Sequence, residues 1–177
     1  MSSRFEQLTS ETVHEGPIVT VYRRAFRHED GEEVEREIVG HPGAVAVIAH
    51  DGERLYLVRQ PREAIGVPDL LELPAGKLDE EGETPLAAAK RELAEEIGKA
   101  AEHWELLQTF HTSPGFTDER VLIYLATELS DASAEVEENE RIDIVTHGLG
   151  EIDALLEETT DSKTLIGLYA LQRRLRA

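Results

Sequence analysis

The chain has 177 residues, 40% of them hydrophobic, enough for one buried core with an appended arm. Its formal charge of −19, from 18 basic against 37 acidic residues, argues against nucleic acid or an anionic membrane as an opportunistic partner, though a divalent metal can still bring a phosphate-bearing substrate to such a surface. Cysteine is absent, which excludes disulfides and thiolate metal sites and points to the cytoplasm.

No apolar run approaches the roughly 18 residues of a membrane helix, and the opening MSSRFEQLTSE lacks the apolar centre of a signal peptide. From Ile18 to Val39 the segments IVTVYRRAFR and EVEREIV predict two or three strands around the turn His28 to Glu32, where Asp30-Gly31 is a hairpin dipeptide. They alternate poorly and carry many charges, so a small sheet at the molecule's edge is expected, open to a partner. His41-Pro42-Gly43 punctuates the chain and sets the expected boundary between an arm over 1–42 and a catalytic domain over 43–177.

Ala44 to Ala49 is a continuous apolar strand of the kind buried on both faces. Asp51-Gly52 turns the chain into Leu55 to Gln60. After an irregular passage through Pro61, Gly66 and Pro68, a short strand, Leu70 to Leu73, ends at Pro74-Ala75-Gly76. A helix is then predicted from Thr84, an N-cap residue followed by Pro85 at the first helical position, with Leu86, Ala89, Leu93 and Ile97 as its apolar stripe and Gly98 as its left-handed cap. The glutamates of this helix are expected to flank that stripe without joining it. Trp104 to Thr112 and Arg120 to Leu129 predict a strand pair joined by Ser113 to Asp118. An acidic loop, Glu135 to Glu140, precedes a strand over Ile142 to Val145. Helices over Glu151 to Glu158 and Ser162 to Arg176 close the chain, the second with Leu165, Leu168, Leu171 and Leu175 as its stripe. The order of strands, helix, strands and helices predicts an α/β (α+β mixed) fold, a mixed sheet between helices with an N-terminal antiparallel strand arm.

Chemistry concentrates between Gly76 and Gly98. Glu92, Glu95 and Glu96 fall on one side of the helix, with Arg91 adjoining them and a glycine-bearing loop before them. Carboxylates held this way suit Mg²⁺ or Mn²⁺ beside phosphate. A solvated helix face would show a similar pattern, and the residues alone leave both readings open.

The stretch resembles the signature of the Nudix hydrolases: a glycine, five residues, a glutamate, seven residues, then Arg-Glu-aliphatic-any-Glu-Glu-any-Gly-aliphatic. The helical half matches at each constrained position from Arg91 to Gly98. The chain departs by one extra residue between Gly76 and Glu83, which leaves the role of Glu83 open, and by Lys99 where an aliphatic residue is usual. The resemblance implies a Nudix fold and metal-assisted hydrolysis of a diphosphate, with Glu92, Glu95, Glu96 and the backbone carbonyl of Ala75 as metal ligands. It places Glu95 and Arg91 in the catalytic set, Arg91 orienting the acidic cluster.

Pro114 stands sixteen residues after Gly98 within SPGFTDE, a mark of the ADP-ribose pyrophosphatase group. ELPAGK, RQPR and EIVGHPGAVAV also resemble that group, so the likeness runs from about Val19 to Val145. It implies Arg62 on the substrate diphosphate, Glu72 lining the site, Arg36 as a further contact, and Glu140, or Glu138, as a catalytic glutamate in the acidic loop. It also implies a homodimer whose N-terminal sheets help form the adenosine pockets. The expected reaction converts ADP-ribose and water to AMP and ribose 5-phosphate; a nucleotide-sugar pyrophosphatase acting on GDP-mannose or UDP-glucose, or a silent ADP-ribose-binding module, are the alternatives. His103 and His111 form no ligand pair and are expected to be structural or exposed.

Overall fold

The computed structural model describes residues 4–132 and 141–176. The chain falls into two compact units. One comprises the chain up to Gly43 with His111–Arg120, the other Ala44–Phe110 with the chain from Val121 onward.

The first unit is built on a three-stranded antiparallel sheet of β1 (Phe5–Glu15), β2 (Thr20–His28) and β3 (Glu33–Gly40), in that order. The β2–β3 hairpin closes where expected: the His28 N–H donates to Glu32 O at 2.8 Å and the Gly31 N–H to His28 O at 3.0 Å. β1 was not legible in the sequence. Its residues are almost all exposed, so burial writes no alternation into them, and it is a strand because β2 pairs with it through register shifts at Gln7/Thr9 and Thr12/His14. The segment Ser113–Thr117 is pinned within this unit to the end of β3, the Val39 N–H donating to Phe116 O at 2.8 Å and the Thr117 hydroxyl to Val39 O at 2.8 Å.

The second unit holds a seven-stranded mixed sheet. Its order is β10 (Asp143–Gly148), β5 (Arg54–Arg62), β4 (Ala44–His50), β9 (Arg120–Asp131) and β8 (Lys99–His111), with β6 (Val67–Glu72) paired to β5 and the three-residue β7 (Ala75–Lys77) paired to β4. β4 and β9 run parallel, Ala44 opposite Val121 through Ala49 opposite Ala126. β4 is central, and both its faces are buried, as its unbroken apolar run requires. Ala44, Ala46 and Ile48 point into a core shared with Ile152 and Leu155 of α2 (Ile152–Glu158) and Leu168 and Leu171 of α3 (Ser162–Leu175). Val45, Val47 and Ala49 point into a second core with Ala88, Ala89, Leu93 and Ile97 of α1 (Pro85–Ile97). The sheet is thus sandwiched between α1 and the α2–α3 pair.

Two details of helix packing differ from expectation. On α3 the buried residues are Thr164, Gly167, Leu168 and Leu171, while Leu165 is half-buried and Leu175 is 52% exposed. On α1, Glu92 and Glu96 are 9% and 8% exposed and so join the buried face that they were expected only to flank. Among the described residues no helix is long and apolar enough to cross a membrane.

Candidate active site

The geometry begins at β7. Paired with β4 through Ala46 opposite Ala75 and Val45 opposite Gly76, it brings the backbone of Ala75 and Gly76 against α1. The Ala75 N–H donates to Glu96 Oε2 at 3.1 Å. Glu92 lies so close to Gly76 that a Cβ added there would fall on its carboxylate, which would have to move. Glycine at this position makes room for a carboxylate.

The helix is set by its ends. Thr84 accepts from the Ala87 N–H at 3.2 Å, Pro85 occupies the first turn, and Gly98, with φ of 68°, returns its N–H to Ala94 O at 3.0 Å. With the register fixed, Arg91 becomes the hub of the carboxylates. Its Nε and Nη2 each donate to Glu83 at 3.2 Å, while Nη1 donates to Glu92 Oε1 at 2.7 Å and to Glu95 Oε2 at 3.0 Å. These bonds, Glu83 first among them, raise the Arg91 pKa against the opposing effect of burial. The one-residue-longer loop therefore still delivers Glu83 to Arg91.

A second ionic group lies in the same unit. Glu72, at the end of β6, is fully buried and receives Arg62 Nε on Oε1 at 2.6 Å and Arg62 Nη2 on Oε2 at 2.8 Å. Lys163 Nζ approaches the same Oε2 at 3.3 Å and Asp161 Oδ1 at 2.7 Å. The Glu72 hydrogen bond raises the Arg62 pKa, with burial opposing. Asp161 caps α3 by accepting from the Thr164 N–H at 2.9 Å and hydroxyl at 2.8 Å. Thr164 in turn accepts from the Leu73 N–H at 2.8 Å, and the Thr159 hydroxyl donates to Leu71 O at 2.7 Å.

The structure thus gathers Ala75, Arg91, Glu92, Glu95 and Glu96 into one cluster and pairs Arg62 with Glu72. Arg36 and Pro114 belong to the first unit, where Arg36 donates to Glu35 O at 2.8 Å and Pro114 sits exposed in a turn that Ser113 O closes by accepting from the Phe116 and Thr117 N–H groups. His103 and His111 are exposed. Glu138 and Glu140 lie outside the described residues. Sequence reasoning passed over Asp161 and Lys163. Asp161 carried a signal, as an N-cap residue directly before the predicted helix, but nothing local ties Lys163 to a glutamate on a distant strand.

Among the described residues no group of three or more carboxylates and histidines converges at metal-holding distance. The donor chemistry nevertheless fits a hard divalent cation: Glu83, Glu92 and Glu95 share a single guanidinium, Glu92 and Glu96 are buried, and Gly76 cradles the Glu92 carboxylate.

Comparisons with known proteins identify the family. The NUDIX domain family matches residues 40–166. An ADP-ribose pyrophosphatase of Mycobacterium tuberculosis is 43% identical over 141 residues, covering 79% of this chain and 68% of the relative. A methanol dehydrogenase activator of Bacillus methanolicus is 40% identical over 97% of this chain and 96% of its own length, and an ADP-ribose pyrophosphatase of Bacillus subtilis is 38% identical over 93% and 91%. A crystal structure of an ADP compounds hydrolase superposes with a TM-score of 0.87 at 24% identity, covering 98% of this chain and 95% of that one, and shares the fold. The chain belongs to the Nudix family and has the fold of its hydrolases. Enzymes of this family generally use a divalent metal.

Proposed function

We propose that the chain hydrolyses the diphosphate of ADP-ribose to AMP and ribose 5-phosphate in the cytoplasm, using Mg²⁺ or Mn²⁺. The observation that carries the chemistry is the set of carboxylates on α1, where Glu92 and Glu96 are buried and Arg91 is shared by Glu83, Glu92 and Glu95. Glu92, Glu95, Glu96 and the carbonyl of Ala75 are the metal ligands in this reading. A divalent ion bound there supplies Lewis-acid polarisation of a phosphoryl oxygen and a bound water of lowered pKa.

The chain's own residues prepare that site. Arg91 holds Glu92 and Glu95 in fixed rotamers, so little reorganisation accompanies binding. Arg62, oriented by Glu72, presents a guanidinium for the diphosphate. Arg36 and Pro114 are assigned to the substrate, Glu140 or Glu138 to proton transfer. The arm over residues 1–42, joined to a catalytic domain over 43–177, is assigned to a homodimer interface that completes the adenosine pocket. The two relatives named as ADP-ribose pyrophosphatases support the choice of substrate.

A panel of ADP-ribose, NADH, GDP-mannose, UDP-glucose and diadenosine polyphosphates with Mg²⁺ tests the reading. ADP-ribose is expected to give the highest kcat/KM, with AMP and ribose 5-phosphate as products. Equal turnover of GDP-mannose overturns the substrate assignment, and binding of ADP-ribose without turnover overturns the enzymatic one. A monomer at micromolar concentration by light scattering overturns the dimer. The relative named as a methanol dehydrogenase activator favours a second reading, action upon a dehydrogenase, which is tested by assaying a methanol dehydrogenase with and without this chain.

A further inference from the structure

Glu72 is an unusual anchor, because a fully buried carboxylate is taken up by two cations from different parts of the fold. Arg62 comes from β5 and commits Nε and Nη2 to it; Lys163 comes from the first turn of α3. Lys163 is itself fixed, since it also binds Asp161, the residue that caps its helix. Two hydroxyls fasten this helix entry to the strand that carries Glu72: Thr164 accepts from the Leu73 N–H, and Thr159 donates to Leu71 O. No buried side-chain nitrogen or oxygen among the described residues lacks a hydrogen-bond partner, so the network is closed.

The two cations differ in exposure. The Arg62 side chain is 41% exposed and the Lys163 side chain 18%. Arg62 can therefore reach a ligand, whereas Lys163 is spent on Glu72 and Asp161. Without Lys163, both oxygens of a buried carboxylate would draw on Arg62 alone, and the guanidinium would be held more strongly to Glu72.

We infer that Lys163 is a positioning residue for the diphosphate site: by satisfying Glu72 Oε2 from the α3 side, it leaves Arg62 oriented for a phosphate group. The inference rests on the reading of Arg62 as a diphosphate contact. It assigns the entry of the C-terminal helix a part in substrate affinity, beyond its part in packing.

The test is titration calorimetry of ADP-ribose in EDTA, where nothing turns over, on the wild type, K163M, K163R, R62A and R62A/K163M. Methionine keeps the apolar stem of Lys163, so packing changes little, and K163Q serves the same comparison should K163M not fold. K163M is expected to raise the Kd roughly ten- to hundredfold, as loss of a supporting partner does when it misplaces a binding group. K163R is expected to restore most of the affinity, and K163M is expected to add no further loss in the R62A background.

In turnover assays with Mg²⁺, KM should rise for K163M while kcat holds. A lowered Tm with unchanged Kd and KM would make Lys163 a structural staple and overturn the inference, as would an additive loss in the double variant. If R62A raises the Kd and K163M does not, the inference alone fails. If R62A also leaves the Kd unchanged, the assignment of Arg62 to the diphosphate fails with it.

Discussion

Arg91 and Arg62 each grip glutamate with a fork of nitrogens, yet their surroundings differ in charge balance. Around Arg91, three carboxylates share one guanidinium, and the buried Glu96 stands near them bonded to a backbone amide. Around Arg62, two cations and two carboxylates form a closed set. An excess of buried negative charge is expensive unless a cation compensates it. In the proposed reading the first arrangement takes a guest cation, whereas the second pairs its charges within the chain. The difference separates a site that acquires its chemistry by binding from one that supplies orientation.

The sharpest way to break this comparison is to neutralise a carboxylate of the first set. Glu96→Gln keeps the shape and the acceptor for the Ala75 N–H while removing a charge. Activity at saturating Mg²⁺ is expected to fall by on the order of 10² to 10⁴, since transition-state charge stabilisation of several kcal/mol is lost. The thermal midpoint should hold or rise, because a buried charge has been removed. A variant that keeps full kcat would show that the cluster is only a helix surface.

A steric probe tests the same cluster without altering charge. Gly76→Ala places a Cβ where the Glu92 carboxylate now sits, so Glu92 must leave its position or the β7 backbone must shift. The expected cost is about 1–3 kcal/mol of stability, the usual range for overpacking. A parallel drop in metal affinity, read by Mn²⁺ titration, is also expected. Unchanged Mn²⁺ affinity would remove Glu92 from the ligand set.

Much of the first arrangement was legible in the sequence because it is local. Thr84, Pro85 and Gly98 fix one helix, and helical geometry then places Arg91 and the glutamates. The burial of Glu92 and Glu96 was not legible, since it depends on the approach of β7, a strand of three residues too short to write a pattern of its own. The central strand β4 announced itself by an unbroken apolar run. β1 gave no such sign, because it is held by pairing with β2 rather than by a buried face. The second arrangement was the least legible. Arg62 and Glu72 were each singled out, but Lys163 reaches Glu72 only through the packing of α3 on the sheet, a contact that no local spacing encodes.

The closed set also makes a pH prediction of its own. Burial pushes the Asp161 carboxyl up, but the charge and hydrogen bond of Lys163, with the two bonds from Thr164, outweigh it and hold the pKa below the ordinary value. A carboxyl depressed in the folded state contributes stability that is fully present above its unfolded pKa, near 4, and is lost as pH falls through the folded value. At pH 7 the wild type should therefore be more stable to urea than Asp161→Asn, which retains a side-chain oxygen to cap the helix. The gap should begin to shrink as pH falls below about 4, where the unfolded chain takes up the proton, and close below the lowered folded value, where the carboxyl is neutral in both states. A gap that stays constant down to pH 2.5 would mean that Asp161 acts through its hydrogen bonds alone. The ionic closure between Asp161, Lys163 and Glu72 would then have no energetic weight. Because this carboxyl lies outside the proposed metal ligands, the same measurement in excess Mg²⁺ is expected to leave the gap unchanged, whereas stability that depends on the α1 carboxylates should respond to the ion.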